Sequence, residues 1–243
     1  MLSFHAAGKD GIEVAMDDKT IPSEVNWIDA ARPDAREIAF LERTLGIDVP
    51  TLETLSEIET SSRLRSDKDW LYLSIPMIDR ADGFMPALTP LGFVLSKDAL
   101  VTVRFRPMKA FDDVPETISR VPMQPGGPGA LAAILEVIVD HAADVLEGVG
   151  RDLDCLSEEI FGTNHATPRR HKPREDGEQL RLVLRKVGRN GDLTSKIEDL
   201  LLGMARMLPY VAANAASYLE AGIRAKLESL NATYRPSMIM RRI

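Results

Sequence analysis

Between Ala130 and Phe161 the chain contains no proline, and Leu131, Leu135, Ile138, Ala142, Val145, Val149, Leu153, Leu156 and Ile160 recur at spacings of 4, 3, 4, 3, 4, 4, 3 and 4. Such a ladder has one physical solution, an α-helix with an apolar stripe, and about 30 residues of it reach roughly 45 Å. A second ladder opens at Leu180 and Val183 and continues through Leu201, Met204, Leu208, Val211, Ala215, Tyr218 and Gly222 to Leu230. As one helix it would span about 80 Å, far more than a compact core needs. Pro209 should kink it, and Gly188 with Gly191 forms a second weak point, each glycine costing about 1 kcal/mol relative to alanine. Stripes of this length have to be covered. The helices therefore pair as an antiparallel hairpin, or copies associate, or both; we expect both, and so a homo-oligomer.

The other half of the chain reads differently. Trp27-Ile28-Asp29, Trp70 to Ile75, Leu91 to Leu95 and Leu100 to Phe105 are rich in β-branched, aromatic and large apolar residues and predict strands. The four-residue connection Ser96 to Ala99 makes the last two an antiparallel hairpin. Ile38, Leu41 and Leu45 recur at helical spacing after the Pro33-Asp34 turn, and Gly46 stops that helix. Thr51 is the expected N-cap of a further short helix with Glu53 in its first turn. The two halves meet at Pro122 to Gly129, a proline-glycine run that reads as a linker. We expect an α+β chain of α/β/α type, with a mixed-sheet N-terminal domain over 1–128 and long antiparallel stalk helices over 129–243.

Charge separates the halves as well. Residues 1–128 carry 21 acidic and 14 basic side chains and residues 129–243 carry 16 of each, so the whole net charge of -7 belongs to the first half. That balance argues against a nucleic-acid partner, because phosphate neutralisation needs a surplus of lysine and arginine. A single cysteine, Cys155, excludes an internal disulfide and fits a reducing compartment. With no apolar run of about 18 residues, these residues are not expected to cross a membrane. Nor does the N-terminus read as a signal peptide. The basic cluster Arg169 to Lys172 reads as a solvated interhelical loop.

The usual catalytic signatures are missing: there is no G-x-x-x-x-G-K-[ST], no G-x-G-x-x-G after a strand, no G-x-S-x-G and no H-E-x-x-H. His5, His141, His165 and His171 sit in unrelated contexts, and Cys155 falls among ladder positions, which predicts a packed thiol. We expect no enzyme and no required cofactor. One constellation stands out. Glu136, Asp140 and Asp144 fall at i, i+4 and i+8, with Glu147, Glu158 and Glu159 beyond. Carboxylates suit hard cations such as Mg²⁺, although a solvated polar face opposite the ladder would look the same.

Several segments, in order, resemble the cytoplasmic part of the CorA family of divalent-cation transporters, the group that includes the ZntB-type zinc transporters. They are Val25 to Asp29 with the Pro33 turn, Leu45 to Glu53, Glu57 to Leu64, the hairpin Phe93 to Arg104, Leu135 to Asp144, and Val187 to Leu193. The resemblance covers about Trp27 to Asp199 and weakens after Arg206. It implies an α/β/α domain feeding a stalk helix, on the cytoplasmic side of the inner membrane, in a protein that is pentameric when complete. It also implies transport of magnesium, cobalt or zinc through transmembrane helices that are absent from these residues, as is the Gly-Met-Asn signature of the pore mouth. The family holds regulatory Mg²⁺ between subunits, one acidic pair lying in a Leu-Glu-Asp stretch. Here that stretch is Leu52-Glu53-Thr54, and the region of the partner acid, Ala212 to Ala216, offers Asn214. The expected metal residues are thus Glu53, Asp140 and Asp144, with a regulatory divalent cation as partner. The alternative is a shortened homologue that serves as a structural or interaction scaffold without transport.

Overall fold

A computed structural model of the chain describes residues 1–6, 9–57, 63–79, 87–111, 114–115, 125–161 and 173–233. The basic run Arg169 to Lys172, residues 58–62 of the Glu57 to Leu64 segment, Pro122 to Gln124 and Pro236 to Ile243 lie outside the described residues. Strands β1 (Leu2–Ala6), β2 (Lys9–Ile12), β3 (Val25–Ala31), β4 (Leu64–Asp67), β5 (Trp70–Asp79), β6 (Ala87–Leu95) and β7 (Leu100–Arg104) form one sheet in the order β2-β1-β3-β7-β6-β5-β4. The sheet is mixed, as expected: β3 and β7 run parallel, with Asp29 opposite Thr102, and the other pairs are antiparallel. The β6–β7 hairpin closes at Leu95 opposite Leu100.

Period-two alternation sends these strands' side chains to two cores. Trp27, Leu91, Phe93, Leu95 and Leu100 face one side, where they meet the long helices α3 (Gly127–Phe161), α4 (Pro173–Asn214) and α5 (Ala221–Thr233). Ile28, Val94, Val101 and Val103 face the other, with Phe40 and Leu41 of α1 (Ala35–Leu45) and Leu55 of α2 (Leu52–Ser56). The architecture is the expected α/β/α sandwich. Helix α1 starts in a capping box, the Asp34 carboxylate accepting from the N–H groups of Arg36 and Glu37 while Glu37 accepts from the Asp34 N–H. It stops at Gly46, whose φ of 66° is the left-handed conformation that glycine adopts without strain.

Two expectations are corrected. The glycines before α3 do more than link: Gly126 has a φ of 91°, and a Cβ on Gly127 would lie 2.4 Å from the Ser96 carbonyl and 2.5 Å from that of Ala99. Only a bare backbone lets the start of α3 sit on the β6–β7 turn, where the Gly127 N–H donates to the Lys97 carbonyl at 3.1 Å. The second ladder is also not one rod. Helix α4 runs unbroken through Gly188, Gly191 and Pro209, and the chain leaves helix at Ala215 to Glu220, a stretch with neither glycine nor proline. Tertiary packing overrides the local breakers. Ala215 and Leu219 are buried in the turn, and α5 folds back so that Ile223, Leu227 and Leu230 join the core against α3 and α4.

Candidate cation-binding site

A different local rule places each of the three carboxylates singled out above. Glu53 stands in the first turn of α2, whose N-cap is the expected Thr51: its hydroxyl accepts the Thr54 N–H at 3.2 Å. Leu55 anchors the helix. It is buried against Gly92 of β6, where a Cβ would come within 2.9 Å of both its methyl groups. Glu53 is exposed. Asp140 and Asp144 are exposed one turn apart on α3, opposite the ladder that buries Ala142, Val145 and Val149.

Since α2 covers one face of the sheet and α3 the other, Glu53 does not join the aspartates within one chain. The aspartates do belong to a charged cluster. The Glu136 carboxylate is 2.6 Å from the ammonium of Lys226 on α5. Partial desolvation raises the Asp140 carboxyl above its ordinary 3.8, Glu136 and Asp144 push it further up, and Lys226 opposes them. Among the described residues no group of three or more His, Cys, Asp or Glu side chains is arranged to hold a metal ion. Sequence reasoning found the acids and missed Lys226, which the misjudged course of the second ladder hid.

Farther out, a polar groove of about 700 Å³ separates α3 from α4, lined by His141, Asp152, Lys186 and Asn190 among others. Cys155 is exposed along it, correcting the expectation of a packed thiol, while its neighbour Leu156 is buried. A second cluster passed unnoticed as a unit, although its residues lie in the family-like segments. The Trp27 indole N–H donates to Thr102 Oγ1 at 3.0 Å, and the Thr102 hydroxyl donates to Asp29 Oδ1 at 2.8 Å. Arg104 closes the chain, donating from Nε to Asp29 Oδ1 and Oδ2 at 3.2 and 3.1 Å and from Nη2 to Oδ2 at 2.8 Å. This lock ties β3 to β7 under the long helices. It is a buried scaffold, with Thr102 wholly inaccessible and the Asp29 side chain 6% exposed.

Residues 22–204 match the family model described as CorA-like Mg²⁺ transporter protein. The magnesium transport protein CorA of Wolinella succinogenes is 28% identical over 148 residues, 58% of this chain and 45% of that protein. Its counterpart in Campylobacter jejuni is 26% identical over 159 residues, 62% of this chain and 49% of that protein. The chain thus spans about half the length of these relatives. Among solved structures, the soluble domain of CorA from Methanocaldococcus jannaschii superposes with a TM-score of 0.66 at 20% identity, covering 99% of this chain and 95% of that one. The complete CorA magnesium transporter of that organism gives 0.64 at 18% identity, over 99% and 74%. At these identities the likeness is one of fold. Among the described residues no helix is long and apolar enough to cross a membrane.

Proposed function

The chain belongs to the CorA-like Mg²⁺ transporter family, which its model matches over residues 22–204, and from that membership we propose that it forms the cytoplasmic portion of a divalent-cation transporter. In this reading it associates with copies of itself and responds to Mg²⁺, Co²⁺ or Zn²⁺ through Glu53, Asp140 and Asp144. The reading includes no catalytic step; the curated relatives are named as transport proteins.

The observation that carries the cation response is the charge state of α3. Asp140 stands partly desolvated between two like charges, and among the described residues the positive group acting on it is Lys226, which already pairs with Glu136. A hard divalent ion with most of its water shell retained supplies the missing charge and takes one or two carboxylate oxygens. Because α5 carries Lys226, an ion arriving at Asp140 and Asp144 competes with the ion pair that Lys226 makes from α5 to Glu136 of α3. Cation occupancy and α5 docking are thereby coupled through one side chain. Glu53 lies across the sheet, so an ion joining it to these aspartates would bridge two copies.

Thermal unfolding and sedimentation of the chelator-treated chain, with and without each cation, test the proposal. A rise in Tm is expected, reduced in Asp140→Asn with Asp144→Asn and enlarged in Lys226→Met, which leaves the cluster without its internal cation. No Tm shift with any of the three ions, in a chain that stays monomeric, would sink it.

A further inference from the structure

The groove between α3 and α4 holds hydrogen-bond donors that the chain itself leaves largely unused. Among the described residues four cations line it, Lys109, Arg151, Lys186 and Arg189, against three carboxylates, in a chain whose formal net charge is -7. Lys186 stands 3.9 Å from the Glu159 carboxylate, and Arg151 engages only its Nε, which donates to the Glu147 carbonyl at 3.4 Å. Arg189, exposed beside them, makes no ion pair or hydrogen bond among the described residues.

Asn190 adds a donor of another kind. It lines the same groove, is 6% exposed, and its Nδ2 has no hydrogen-bond partner. An unmade bond to a buried amide costs stability, and native folds rarely keep one. The local sequence adds to that cost, since Gly188 and Gly191 bracket Asn190 inside α4, and three weak helix formers within four residues loosen any helix. Packing among the described residues does not ask for these glycines: a Cβ at either would meet no atom within 4 Å. Local rules broken without a compensating contact mark places where the chain serves something other than its own stability.

The wall also carries Asp152, exposed next to Arg151. Among the described residues no three His, Cys, Asp or Glu side chains are arranged to hold a metal by themselves. Mg²⁺ does not require such a cage: it keeps several waters and takes one or two carboxylates together with the phosphate oxygens of a ligand. A bare divalent ion in this groove would face four cations, and a simple anion would leave Asp152 opposed to it. A ligand that brings an oxyanion and its own Mg²⁺ uses both signs of charge.

We propose that the groove between α3 and α4 binds a magnesium polyphosphate, the chemistry shared by a nucleoside triphosphate and inorganic tripolyphosphate. Arg151, Lys186 and Arg189 take the phosphate oxygens, the Asn190 amide gains the acceptor it lacks, and Asp152 holds the metal through its water shell. The volume of about 700 Å³ is that of an ordinary small-ligand site. The site binds and does no chemistry. It does not rest on the cation response put forward at Asp140 and Asp144.

Isothermal titration calorimetry of the chelator-treated chain tests this with Mg·ATP, Mg·tripolyphosphate, metal-free ATP and MgCl₂. Both magnesium complexes are expected to bind saturably, about tenfold more tightly than metal-free ATP. Equal affinity for the two would place recognition in the phosphate chain, and tighter binding of Mg·ATP would identify a nucleotide. Arg151→Gln with Arg189→Gln should weaken both complexes about tenfold or more. Asp152→Asn should abolish the advantage of magnesium and leave metal-free ATP bound at least as well. Asn190→Leu, of the same branched shape, should weaken binding and yet raise Tm, because the unsatisfied amide is gone; a fall in Tm would make Asn190 a structural residue and remove it from the site. Circular dichroism verifies that each variant is folded. Cys155, the single cysteine, is exposed on the groove and reports location: its alkylation by iodoacetamide should slow when Mg·ATP is bound. Heat from MgCl₂ alone reads the cation site at Asp140 and Asp144, so the failure of that reading is told apart from the failure of this one. The proposal is overturned if neither complex binds beyond MgCl₂ alone, if binding keeps full strength in Arg151→Gln with Arg189→Gln, or if Cys155 is alkylated at an unaltered rate in the saturated chain.

Discussion

Removing Arg104 should be among the most damaging single substitutions in the sheet. Its guanidinium makes three contacts of 2.8 to 3.2 Å with the Asp29 carboxylate, whose other short partner is the Thr102 hydroxyl at 2.8 Å. The Asp29 and Arg104 side chains are only 6% and 17% exposed, so water cannot take over the lost hydrogen bonds without opening the sheet. Breaking a buried pair from one side strands the other charge and costs about 3–5 kcal/mol; the retained Thr102 bond puts Arg104→Met near the lower end, about 3 kcal/mol. In a chain of this size that corresponds to a fall in Tm of about 6–12 °C. Asp29→Asn keeps an acceptor for Thr102 and removes the charge, so it should cost about half as much. The double variant Asp29→Leu with Arg104→Met removes both charges and should be less destabilised than Arg104→Met alone. Urea unfolding followed by circular dichroism, with Tm alongside, measures all three. If Arg104→Met lies within about 1 kcal/mol of the unaltered chain, the lock is solvated and the reasoning from burial fails.

Further outcomes follow from single contacts. Asp140 has a raised folded pKa, so between its ordinary 3.8 and that higher value the folded chain binds more protons than the unfolded one, and stability falls as pH rises through that window. Asp140→Asn should therefore be more stable than the unaltered chain at neutral pH, by less than about 1 kcal/mol for so exposed a group, and the gain should vanish below the ordinary value in a pH series of Tm. Gly127→Ala should cost more than Gly92→Ala, because the new methyl would meet backbone carbonyls at 2.4 and 2.5 Å in the first case and the movable end of Leu55 at 2.9 Å in the second. Overpacking of this kind costs about 1–3 kcal/mol, and equal losses in thermal unfolding would contradict the ranking. Pro209→Ala should stabilise the chain by up to about 3 kcal/mol, since it restores an N–H to the interior of α4; no gain would mean that the helix is effectively broken there.

What could be read from the residues follows from how local each cause is. Gly46 and Thr51 act within a few positions of themselves, so both helix boundaries were legible, and the composition of runs such as Leu91 to Leu95 declared their strands. Strand β4 was not legible: Leu64–Asp67 is a polar edge strand whose only reason to extend is its pairing with Leu71 and its neighbours on β5. The course of the second ladder was misread for the opposite reason. Pro209 and the paired glycines are strong local signals, yet Ile223, Leu227 and Leu230 gain more by burial against α3 than an extended rod could give them, and the turn goes where that packing requires. The same error concealed the partner of the acidic site. Glu136, Asp140 and Asp144 announce themselves by spacing along one helix, whereas Lys226 pairs with Glu136 from 90 residues downstream, and acts on Asp140, only because α5 turns back. A carboxylate row is thus a property of sequence, and its neutralisation is a property of the fold: whichever cation ends up balancing Asp140, a lysine from within or an ion from without, is chosen by where α5 lies.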